Sequence, residues 1–68
     1  MTAFDINNHM NVMSAASIRS LADYYSRCGL HALAAESYDR AVEIYNRLGM
    51  KEESGSCRCG LFLSIIAA

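Results

Sequence analysis

Between Ile18 and Leu48 the chain carries two runs of apolar residues with helical spacing, divided by one glycine. In the first, Ile18, Leu21, Ala22, Tyr25 and Cys28 recur at spacings of three and four, so they share one face of a helix. In the second, Ala34, Tyr38, Ala41, Tyr45 and Leu48 do the same. Gly29 stands between them. Glycine accepts positive φ without steric cost, so the chain can end one helix and turn back within a residue or two. Small Ala34 and Ala41 set against bulky Tyr25 and Tyr38 would let the two helices approach closely. The pattern predicts an all-α fold built on an antiparallel helical hairpin.

The same residues resemble a known family. Ile18-x2-Leu21-Ala22-x2-Tyr25 is similar to the first helix of a tetratricopeptide repeat, whose pattern is W-x2-L-G-x2-Y. Gly29 falls at that repeat's turn, and Ala34-x3-Tyr38-x2-Ala41 resembles its second helix. Val42 to Gly49 resembles the longer repeats that continue into a further helix. The chain departs from the family in having Ile18 where tryptophan stands and in lacking any proline. The resemblance spans about one repeat. It implies a hairpin that takes a helix or extended peptide of another protein against its small-residue face.

Size bears directly on this reading. A single repeat hairpin cannot bury its own hydrophobic face, and about three are normally stacked. The core of a 68-residue chain supplies about 3–5 kcal/mol of net stability. Yet 53% of the residues are hydrophobic, more than one small domain can hide. A homodimer is the expected remedy, twofold in its simplest form.

Taken in order, residues 1–11 read as a loose lead or a short helical turn, because Asp5, Asn7, Asn8 and Asn11 favour caps and turns. Asn11 or Ser14 is positioned to cap the first long helix. Residues 12–48 form the hairpin, and 51–68 a weaker third helix that Gly55 and Gly60 loosen, each by up to about 1 kcal/mol. Glu36–Arg40 and Glu43–Arg47 are i, i+4 pairs on a solvated face, worth a few tenths of a kcal/mol each. Leu30, Leu33 and Ile44 give the second helix another apolar stripe. Leu61-Phe62-Leu63-Ser64-Ile65-Ile66 is apolar on nearly every side. It is read as helix, since a lone strand here would leave its backbone unpaired. Leu33, Leu61, Phe62, Ile65 and Ile66 are the expected dimer interface.

Little in the chain suggests chemistry. The net charge is −1, and the arginines are scattered and mostly offset by acids, so no basic face points to nucleic acid. Cys57-Arg58-Cys59 is a C-x-C, whose sulfurs diverge on a helix and cannot grip one ion. With Cys28 the thiols are odd in number, Met1 to Met13 does not read as a signal peptide, and no apolar run reaches the roughly 20 residues of a membrane span. Those features predict a cytoplasmic protein with reduced thiols. His9 and His31 have no nucleophile beside them, and Asp23 and Asp39 no pairing suited to acid–base work. No enzyme, cofactor or metal site is expected. Tyrosine and arginine often dominate binding energy, so the partner surface is assigned to Arg19, Tyr24, Arg40, Ile44, Tyr45 and Arg47. The expected function is a homodimeric module that binds and occludes a larger protein, as regulators, chaperones and phage-encoded inhibitors do. A small transcriptional or DNA-associated regulator and a structural assembly subunit are the alternatives.

Overall fold

A computed structural model describes residues 3–68, with side chains from residue 12 onward. Three helices follow one another: α1 (Ala3–Arg27), α2 (His31–Arg47) and α3 (Lys51–Ala67). The fold is an all-α three-helix bundle, and the described residues contain no strand. The third element is helix, as its neighbours require, and a helical hairpin within the bundle is compatible with the arrangement.

The first helix begins at Ala3, not at Asn11 or Ser14. The expected loose lead over 1–11 and the cap at either residue are thereby corrected, except that residues 1–2 lie outside the described range. The reason is permissive. No glycine or proline interrupts residues 3–27, and each asparagine costs a helix only about 0.7 kcal/mol or less.

Both links are the same turn. Gly29 (φ 79°) and Gly49 (φ 72°) are the only described residues with positive φ. At the first link, Leu30 N–H donates to the Tyr25 carbonyl at 2.9 Å and Gly29 N–H to Ser26 at 3.1 Å. At the second, Met50 N–H donates to Tyr45 at 2.9 Å and Gly49 N–H to Asn46 at 3.1 Å. These are the paired bonds of a Schellman motif, which satisfy carbonyls that a helix end leaves open. The carbonyls of Leu30 and Met50 then accept from Ala34 and Ser54, so each turn feeds the next helix without a side-chain cap. Every residue of the second turn is the first plus 20, and the motif Tyr-x-Arg-x-Gly is written twice.

The 20-residue register extends into the packing. α2 packs against both α1 and α3, which meet each other only slightly. On α1, Ala15 and Ala22 are buried and Ile18 and Tyr25 half-buried. Twenty residues on, Tyr38, Val42 and Tyr45 are buried and Ala35 half-buried. A second stripe runs beside the first. Ala34 and Ala41 of α2 are buried with Ser37 and Ile44 half-buried, and on α3 Ser54, Cys57 and Ser64 are buried with Leu61 half-buried. The core is therefore made of alanines, three tyrosines, Ile18, Val42 and Cys57, with few large aliphatic residues.

This placement corrects the first helix's face. Leu21 is 44% exposed and Cys28 is exposed, whereas Ala15 joins the core. Leu21 and Cys28 lie seven residues apart on the shoulder of the buried stripe, a direction that three-and-four spacing alone does not resolve.

Candidate interaction surfaces

In α3 the usual patterning is inverted. Its inward stripe is small or polar, with Ser54 and Ser64 at 3% exposure and Cys57 at 0%. Its large apolar residues point out: Phe62 is 66% exposed, Leu63 68%, Ile65 56% and Ile66 77%. Their combined apolar surface is on the order of 500 Å², within the roughly 300–600 Å² of the largest apolar patch on an ordinary monomer. Small residues are buried here because α3 lies close to α2. The backbone of Gly60 sits against the Tyr38 ring, and the Ser54 hydroxyl donates to Asn46 Oδ1.

Beside this patch, the start of α2 and the end of α3 form an open groove of about 390 Å³, lined by Leu30, His31, Leu33, Ala67 and Ala68. Leu33, at 44% exposure, thus lies near the outward face of α3. Of the expected dimer residues, Leu33, Phe62, Ile65 and Ile66 are exposed, whereas Leu61 is half-buried against the core of its own chain.

The expected partner residues divide. Tyr24 is 60% exposed, and Arg40 and Arg47 are exposed. Arg47 pairs with Glu43 at 2.9 Å, while the matching Glu36–Arg40 pair does not close within salt-bridge distance. Arg19 turns to α3, where its guanidinium donates to the Ser56 hydroxyl at 2.9 Å. Ile44 packs against the core, and Tyr45 is only 4% exposed. Tyr45 is a core residue, so its assignment to the partner surface is corrected. Its C3 position in the second turn carries it inward as α3 arrives.

A polar cluster ties the helices together. The Tyr38 hydroxyl donates to Asp23 of α1. Burial, and then that hydrogen bond, push the Tyr38 phenol up to about 12. Burial likewise raises Tyr45 and the Cys57 thiol. The fold thus favours the neutral phenol of Tyr38, and this contribution is intact below the unfolded pKa near 10. It falls away as pH rises from about 10 to about 12. Stability should drop by roughly 1–2 kcal/mol across that window. Thermal melts followed by circular dichroism would show it, with the drop reduced in Tyr38→Phe. A melting temperature that is flat from pH 10 to 12 would contradict the assignment.

No group of three or more His, Cys, Asp or Glu among the described residues is placed to hold a metal ion. Cys28 and Cys59 are exposed and Cys57 is buried, so the C-x-C does diverge. No described helix is long and apolar enough to cross a membrane. No family model matches the chain, and no curated protein or solved structure matches it either.

Sequence reasoning missed Gly60, Val42 and Ala15. Val42 and Ala15 could have been found by aligning the two Tyr-x-Arg-x-Gly turns, which puts Ala22 and Val42 in register and continues the stripe back to Ala15. Nothing local to Gly60 marks it as a contact.

Proposed function

We propose that the chain is a non-enzymatic protein-interaction module, a tetratricopeptide-like stack of helices that associates with a second copy and occludes a larger protein. The observation that supports this most is the outward face of α3, where Phe62, Leu63, Ile65 and Ile66 are exposed while serines face in. Apolar side chains at this density gain about 25 cal/mol per Å² when covered. Self-association uses α3, and the partner is held at Arg40, Arg47 and Tyr24, where arginine and tyrosine remain exposed.

The test uses two substitutions of exposed residues. Phe62→Asp places an uncompensated charge in the self-association face, and sedimentation should show a helical monomer where the parent chain associates. Arg40→Ala should leave association and helicity unchanged and weaken capture of the partner at least tenfold. A parent chain that sediments as a monomer at every concentration up to hundreds of micromolar removes the self-association reading.

A further inference from the structure

Two uncovered faces among the described residues, one on α1 and one on α3, are related by the 20-residue register. On α2 the stripe that carries Tyr38 faces α3, where its ring meets Gly60, and the helix's other buried stripe is left for α1. The first stripe is Ala15, Ile18, Ala22 and Tyr25 on α1, repeated as Ala35, Tyr38, Val42 and Tyr45 on α2, all buried or half-buried. Its next repeat, on α3, is Gly55, Arg58, Phe62 and Ile65, and all four are exposed. The second stripe is Ser54, Cys57, Leu61 and Ser64 on α3 and Ala34, Ser37, Ala41 and Ile44 on α2, again buried or half-buried. Its counterpart on α1 is Ser14, Ser17, Leu21 and Tyr24, and these four are exposed.

From this we infer that copies of the chain stack head to tail, with α3 of one copy packing on α1 of the next. The occupant follows from continuity with the internal junctions. Phe62 and Ile65 occupy the register of Val42 and Tyr45, which are buried within the chain. Ser14 and Ser17 occupy the register of Ala34 and Ser37, the small residues of the second stripe. An open apolar groove already runs along α1 there, lined by Met13, Ser14, Ser17 and Ile18. An array of this kind contacts nearest neighbours only and needs polar caps to stop it, and α3 ends in an apolar face. Such a contact is heterologous, so it grows into open assemblies or closes into a ring, unlike a twofold dimer through α3 alone. Arg40 and Arg47 lie outside both stripes and stay open to a partner, whereas Tyr24 lies in the α1 stripe and is covered wherever a second copy stacks there.

This inference rests on the self-association reading, and a mixing experiment separates the two. Phe62→Asp disables the α3 face, and Ser17→Glu disables the α1 face, both at exposed positions that leave the internal core untouched. Circular dichroism establishes that each variant is folded. Head-to-tail stacking predicts that the parent chain's sedimenting mass rises with concentration or settles at a ring. Each variant alone is then a monomer, and an equimolar mixture forms a 1:1 complex that grows no further. If the parent chain associates but Ser17→Glu still associates alone and the mixture yields no 1:1 complex, stacking is wrong and self-association stands. If the parent chain is monomeric throughout, both fall.

Discussion

Replacing Tyr45 with alanine should abolish the fold. Tyr45 is 4% exposed, its carbonyl closes the second Schellman turn, and its ring belongs to a core with few other large side chains. Truncating a buried aromatic residue to alanine costs about 3–5 kcal/mol, from lost burial and the cavity left behind. A domain of this size has about that much stability in total. The helical circular dichroism signal of Tyr45→Ala should therefore be lost or melt without cooperativity at 25 °C. Tyr24→Ala, changed at a 60% exposed tyrosine, should melt within a few degrees of the parent. Equal melting temperatures for Tyr45→Ala and the parent would return Tyr45 to the surface.

The second large effect comes from a residue with no side chain. A Cβ at Gly60 would lie 2.7 Å from two atoms of the Tyr38 ring. That ring cannot easily retreat, because it is 7% exposed and its hydroxyl is held by Asp23. Gly60→Ala should cost about 1–3 kcal/mol through overpacking, against less than about 1 kcal/mol regained in helix propensity. Gly55 lies on the same helix with nothing within 4 Å of its notional Cβ. There the same substitution should stabilise by up to about 1 kcal/mol. The urea midpoints of Gly60→Ala and Gly55→Ala should move to opposite sides of the parent. A Gly60→Ala midpoint at or above the parent's would mean that α2 and α3 do not approach this closely.

What was legible in the sequence was whatever a local signal carries. Gly29 and Gly49 announced the turns because positive φ is a property of the residue itself. The limits of α2 followed from them, and the helical state of α3 from the unpaired backbone that a lone strand would leave. Facing was harder. Ile44 and Tyr45 are adjacent, and the stripe through Ala34, Tyr38 and Ala41 pointed Tyr45 inward, a signal at odds with its assignment to the partner surface. In Leu61 to Ile66 every side is apolar, so the side that turns inward is chosen by the fit of Ser54, Cys57 and Ser64 against α2. Gly60 looked like a weak point of the third helix because propensity is local, whereas its use is a contact with Tyr38, 22 residues earlier. The partner surface was only partly readable for the same reason. Arg19 is a surface residue until Ser56 comes within reach.

The central position of α2 also shapes how the molecule comes apart. Among the described residues α1 and α3 touch little beyond the Arg19–Ser56 bond, so of the three described helices α2 alone has two full neighbours. Either outer helix can peel away while the other junction survives, but α2 cannot open without losing both. Amide hydrogen exchange should accordingly be graded, with the slowest protons in the middle of α2 around Tyr38 to Val42 and faster ones in both flanking helices. A linear array of this kind frays from its ends, and covering the α3 face would slow exchange in α3 well before it changed anything in α2.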